Sequence, residues 1–110
     1  MDKKTALREM IWEELDELGD DYKEQIQAIV YKLQNWPEDD PYWATAFNAV
    51  ADWIRREMRP GRYGRDILFE MRNVDRQVYR DLFDAVQAAQ STGLASVAPK
   101  KPKRPSSYYY

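Results

Sequence analysis

The residues of this chain with chemistry to offer are its arginines. Eight of the ten fall between positions 55 and 80: Arg55, Arg56, Arg59, Arg62, Arg65, Arg72, Arg76 and Arg80. A guanidinium is a permanently charged planar fork that matches two oxygens of a phosphate or carboxylate at once. The chemistry on offer is therefore the gripping of anions rather than the making or breaking of bonds. Arg72, Arg76 and Arg80 recur at every fourth position, which on a helix places them along one face. Like charges at that spacing cost about 0.2–0.5 kcal/mol per pair, so stability alone gives no reason for the row. Arg59, Arg62 and Arg65 surround Gly61 and Gly64, with Tyr63 between the glycines. Such a loop lets a ligand backbone come close, and the tyrosine ring offers a surface for a base or a ribose.

These arginines have two destinations open to them. One is a polyanion, whose phosphates they would neutralise without reading sequence. The other is the chain's own acidic side chains. Residues 1–54 carry 13 acidic and 5 basic side chains, and residues 55–110 carry 6 acidic and 12 basic. The overall charge of −2 thus hides an acidic first half and a basic second half. The run Glu9, Glu13, Glu14, Asp16, Glu17, Asp20, Asp21 and Glu24 reads as a solvated helix face, as a docking surface for a basic subunit or as a DNA-mimicking acidic face. Asp84 stands four residues after Arg80, in place for a pair within one helix.

Other chemistries are excluded or unsupported. The chain has no cysteine and no histidine, which removes disulfides, thiol catalysis, His-containing triads and the usual zinc ligands. The neighbouring carboxylates Glu13 and Glu14, or Glu38 and Asp39, imply no shared substrate, and no calcium-loop spacing is present. The expectation is a protein without catalytic residues, metal or cofactor, and without a small-molecule substrate. No apolar run approaches the roughly 18 residues of a membrane span. The charged start, Asp2 to Lys4, lacks a signal-peptide core, so a cytoplasmic location is expected.

At 110 residues the chain is long enough for one domain with its own core. Apolar residues recur at three- and four-residue spacing, which predicts an all-α bundle of four or five helices over residues 1–92. Leu7, Met10, Ile11, Leu15 and Leu18 mark a first helix over about 3–18, stopped by Gly19. Asp21 caps a second over about 22–34, with Glu24 at capping-box spacing, and Trp36-Pro37 ends it. Asp40 and Pro41 predict the start of a third, reaching Met58, with Trp43, Ala46, Phe47, Val50, Ile54 and Met58 buried. Trp53 lies off that stripe and is expected to face a partner or a neighbouring helix. Ile67, Leu68 and Phe69 begin a fourth helical stretch that runs to about Gln90, with a break near Asn73 allowed.

From Gly93 the periodicity ends. Residues 93–110 predict an extended basic tail, in which Pro99, Pro102 and Pro105 interleave with Lys100, Lys101, Lys103 and Arg104 before a closing Tyr108-Tyr109-Tyr110. Its four cations would add attraction to a polyanion or insert beside another subunit.

Over about residues 3–90, the size, the helix count and the basic face from Arg55 to Arg80 resemble the small helical subunits of CRISPR effector complexes. That resemblance implies copies stacked along a nucleoprotein assembly, contacting the target or displaced strand through basic residues. Here Arg55, Arg59, Arg62, Arg65, Arg72, Arg76 and Arg80 occupy the positions able to do so. The acidic first half and the pI of 5.2 depart from the pattern. The expectation is a non-enzymatic subunit that binds DNA or RNA backbone without sequence preference. Its site would be those seven arginines with Tyr63, and Trp53 and the tail would meet other proteins. The alternative is a helical adaptor, or a phage-type inhibitor, that docks on a protein.

Overall fold

A computed structural model describes residues 2–92. Five helices follow in order: α1 Lys3–Glu17, α2 Tyr22–Asn35, α3 Trp43–Arg56, α4 Gly64–Met71 and α5 Arg76–Thr92. No strand occurs among the described residues. The expected all-α bundle is present, with the break near Asn73 realised, so the helices number five. The predicted tail lies outside the described residues.

The turns follow from local chemistry. Asp2 and Asp21 accept backbone N–H groups from Thr5 and Glu24, capping α1 and α2. Gly19 takes φ +67°, a left-handed conformation that ends α1 at little cost to glycine. The buried Gln25 of α2 reaches back and donates to the Leu15 and Gly19 carbonyls, satisfying the end of α1. The third helix starts two residues later than expected. The Asp40 carboxylate accepts from Tyr42 N–H at 2.7 Å, and its carbonyl accepts from Trp43 N–H. Asp40 therefore closes a turn over Pro41, and regular helix begins at Trp43.

Helix α3 is the centre, packed against all four of the others. Ala46, Phe47, Ala49, Val50, Ala51, Trp53 and Ile54 are all essentially inaccessible to solvent. The buried residues occupy more than half of the helix circumference, with Thr45, Asn48, Asp52, Arg55 and Arg56 along the remaining side, so the buried set is wider than one stripe. Trp53 is 0% exposed and corrects the expectation that it serves as a docking residue. Its indole N–H donates to Asp16 on α1 at 2.9 Å. In the reverse direction, Trp12 of α1 donates to the Ala49 carbonyl of α3 at 2.8 Å. The two indoles clasp α1 to α3 around Ile11 and Leu15.

The chain between α3 and α4 turns back tightly. Gly61 takes φ +83°, and Gly64 N–H donates to the Glu57 carbonyl at 2.7 Å. A Cβ on Gly64 would stand 2.5 Å from the Glu57 carbonyl carbon and 2.6 Å from Met58 N. Those are backbone atoms, so the two helix ends would have to separate. The link from α4 to α5 is held by Asp75, which is buried. One carboxylate oxygen accepts from Gln77 and Val78 N–H, and the other accepts from the Gln34 side chain at 2.6 Å. Asp75 is thus both the cap of α5 and its tie to α2.

Gly64→Ala is expected to cost about 1–3 kcal/mol through overpacking. Asp75→Ala is expected to cost about 2 kcal/mol, through removal of the cap and of the hydrogen bond that ties α5 to Gln34 of α2. Urea unfolding followed by circular dichroism measures both.

Candidate nucleic-acid interface

The structure divides the eight arginines into two groups. The first is engaged by the chain's own carboxylates. Arg56 ends α3 and pairs with Asp16, and its guanidinium lies 4.6 Å from the Trp12 ring centroid. Arg55 pairs with Asp52 at 3.4 Å, and Asp52 also holds Arg8 of α1 at 3.1 Å. Arg62 pairs with Glu57 at 2.7 Å and with Asp20 at 3.4 Å. Arg59 approaches Glu57 at 3.7 Å.

Glu57 is the focus of this group. It sits just past the end of α3, only 2% exposed, and Arg56, Arg59 and Arg62 all converge on it. Burying a carboxylate is costly unless opposite charge and hydrogen bonds compensate. Arg62 supplies the close bond, and its own pKa is raised, chiefly by that bond and by the charge of Glu57. Arg55, Arg59 and Arg62 are therefore not the free anion-gripping arms expected from the sequence. The signal for this was one acid, Glu57, set among Arg55, Arg56, Arg59 and Arg62. Tyr63 also has a partner: its ring stacks on Tyr22, centroids 5.9 Å apart.

Asp16 shows how far the acidic half serves the fold. Partial burial works against its ionisation. The hydrogen bonds from Trp53 and Arg56, with the charges of Arg56 and Arg62, outweigh that and hold its carboxyl below the ordinary value of 3.8.

The second group is Arg65, Arg72, Arg76 and Arg80. All four are exposed, and none makes an ion pair among the described residues. The expected pair of Arg80 with Asp84 is not formed. Arg72, Arg76 and Arg80 do not make one helical row, because α4 ends at Met71 and α5 begins at Arg76. They still belong to one region. Arg65 and Arg72 flank Phe69 on one face of α4, since Arg72 keeps helical angles as the cap. Arg76 and Arg80 share a face of α5 with Tyr79 and Phe83 by the same spacing. The two faces meet through their rings: Phe69 lies 6.5 Å from Tyr79 and 6.4 Å from Phe83, and Tyr79 lies 5.7 Å from Phe83. Arg65, Phe69 and Phe83 line one groove with Met58, Leu68 and Val86.

Phe69, Tyr79 and Phe83 are absent from the expected site. The signal was available in Ile67-Leu68-Phe69, because three consecutive helical residues span about 200°, wider than the one buried face of a helix on the outside of a bundle. Phe69 is the one turned out, at 45% exposure. Lys100, Lys101, Lys103 and Arg104 lie outside the described residues. Among the described residues no helix is long and apolar enough to cross a membrane.

Compared with protein families, with characterised proteins and with solved structures, the chain matches none.

A depressed pKa gives Asp16 a stabilising role that is complete above its unfolded pKa, near 3.8, and is lost as pH falls through its lower folded value. Asp16→Asn is expected to lower the urea midpoint at pH 7, with the gap to the parent closing as the pH falls through the lowered folded value. A gap that persists at low pH would assign the effect to packing. Glu57→Gln is expected to cost about 1.5–3 kcal/mol, read from the same titration at pH 7.

Proposed function

We propose that this protein is a non-enzymatic subunit that binds the backbone of DNA or RNA, without sequence preference, within a nucleoprotein assembly. The observation that carries the reading is the second arginine group. Four guanidinium groups on α4 and α5 stand exposed and without ionic partner among the described residues, while the acidic half is partly consumed by the first group. Arg65, Arg72, Arg76 and Arg80 are assigned the phosphate contacts. Arg59, 57% exposed and held by one long ion pair, is a secondary contributor. The CRISPR small-subunit reading is one form of this proposal. In it, the exposed acids of α1 and α2, such as Glu9, Glu13 and Glu24, would meet basic neighbours.

A protein-docking adaptor is the second reading, and one surface favours it. Tyr31 is 71% exposed on α2 beside a largely apolar groove of about 480 Å³ lined by Ala28, Trp36 and Pro37. The Trp36 indole N–H there has no hydrogen-bond partner among the described residues.

The test is a titration of labelled DNA and RNA at several salt concentrations. Replacing Arg72, Arg76 and Arg80 by glutamine is expected to weaken binding. It should also flatten the plot of log K against log salt by about 0.7–0.9 for each phosphate no longer neutralised. An unchanged slope would remove these arginines from the interface. No binding to any nucleic acid at low salt would favour the adaptor.

A further inference from the structure

Resting on the nucleic-acid reading just proposed, we infer that the ligand of the α4–α5 face is an unpaired strand. Its bases stack on Phe69, Tyr79 and Phe83 while its phosphates meet the surrounding arginines. Three aromatic rings, centroids 5.7–6.5 Å apart, sit where α4 meets α5. Phe69 is nearly half exposed, and Tyr79 and Phe83 are only partly covered. A half-exposed phenylalanine forgoes much of the stabilisation that burial would give, because its apolar surface stays in water. Phe69 is not isolated either: it is the outer member of a cluster. The four unpaired arginines are all placed within about two helical turns of these rings along α4 and α5.

A duplex does not use such a face well. Its bases are stacked on one another and present only edges, so an aromatic ring has no base face to meet without unstacking. A duplex would engage the arginines and leave Phe69 in water. An unpaired strand engages both, because each of its nucleotides carries a charge for a guanidinium and a π-face for a ring. Stacking is indifferent to which base is present, in keeping with a face whose charged groups are forks suited to phosphate. The ligand class is therefore single-stranded nucleic acid, recognised by base faces and phosphates. Oligo-dT and oligo-U share both features, so they are expected to bind with similar affinity.

The test uses the full chain and three fluorescein-labelled probes of equal length: oligo-dT, oligo-U and a mixed-sequence DNA duplex. Both single strands are expected to bind more tightly than the duplex. Phe69→Leu keeps an apolar side chain at a half-exposed position and removes the ring. It is expected to weaken single-strand binding by roughly 5- to 100-fold, with duplex binding and the salt slope unchanged. Phe69→Trp should restore single-strand binding. Tyr79→Leu is a second variant with the same expected direction.

Equal affinity for duplex and single strands, or a Phe69→Leu variant that binds like the parent, would overturn the inference and leave the backbone-binding proposal standing. Failure to bind all three probes at low salt would overturn both. A large gap between oligo-dT and oligo-U would overturn the claim that bases and phosphates alone are recognised.

Discussion

The structure depends on how the Glu57 carboxylate is accommodated at the end of α3. It is buried where the chain must reverse, and Arg56, Arg59 and Arg62 close over it. Because Arg62 must reach back to Glu57, the segment between them folds tightly. Gly61 and Gly64 supply the conformation and the clearance for that path. The close approach of Gly64 to the Glu57 carbonyl then fixes where α4 begins. The start of α4 in turn sets the direction in which Arg65, Phe69 and Arg72 point. One buried charge thus governs both the fold of the reversal and the composition of the exposed face.

The same logic explains the contrast between an acidic first half and a basic second half. Asp16 and Asp20 lie in and just beyond α1, and they meet Arg56 and Arg62 across the bundle. Each of these pairs is partly exposed, so none is worth much alone in water. Their effect comes from attachment to rigid neighbours. Asp16 is held by the buried Trp53 indole, and Arg56 lies over Trp12, whose own N–H is fixed on Ala49. Charge and indole together seat α1 on α3, where apolar burial of Ile11 and Leu15 supplies the greater part of the stability. The asymmetry is partly an internal docking code between α1 and the end of α3.

The legible part of the fold was the part written in local chemistry. The cap Asp21, the stop at Gly19 and the apolar period of each helix depend on residues within a turn or two of one another. The illegible part depended on distant partners. Trp53 falls off the single apolar stripe that periodicity assigns to α3, whereas packing against all four other helices buries a wider arc that includes it. Gln25 carries no local signal because its partner Leu15 belongs to another helix, and of the contacts of Asp75 only the cap of α5 is local, the tie to Gln34 being distant. The arginine stretch is plain in the sequence, but its division is not. Spacing shows that Arg62 and Arg72 share a segment, and only the fold shows that one covers Glu57 and the other faces water. The rings are hidden for a related reason. Phe69, Tyr79 and Phe83 gather through contact between two helices that the apolar period runs together as one.

The cations on α5 are placed where they do not help the fold. Arg76 occupies the first turn, at the positive end of the helix dipole, where added positive charge costs about 0.3–1 kcal/mol. Arg80 follows it by one turn, adding a like-charge cost of about 0.2–0.5 kcal/mol. The Asp75 carboxylate next to Arg76 binds amides and Gln34. Under the proposed nucleic-acid reading, a phosphate placed between Arg76 and Arg80 would relieve the repulsion between the two guanidinium groups. Under that reading the energy these residues withhold from the isolated fold would be returned when an anion arrives, whereas the arginines of the Glu57 cluster are already paired within the fold.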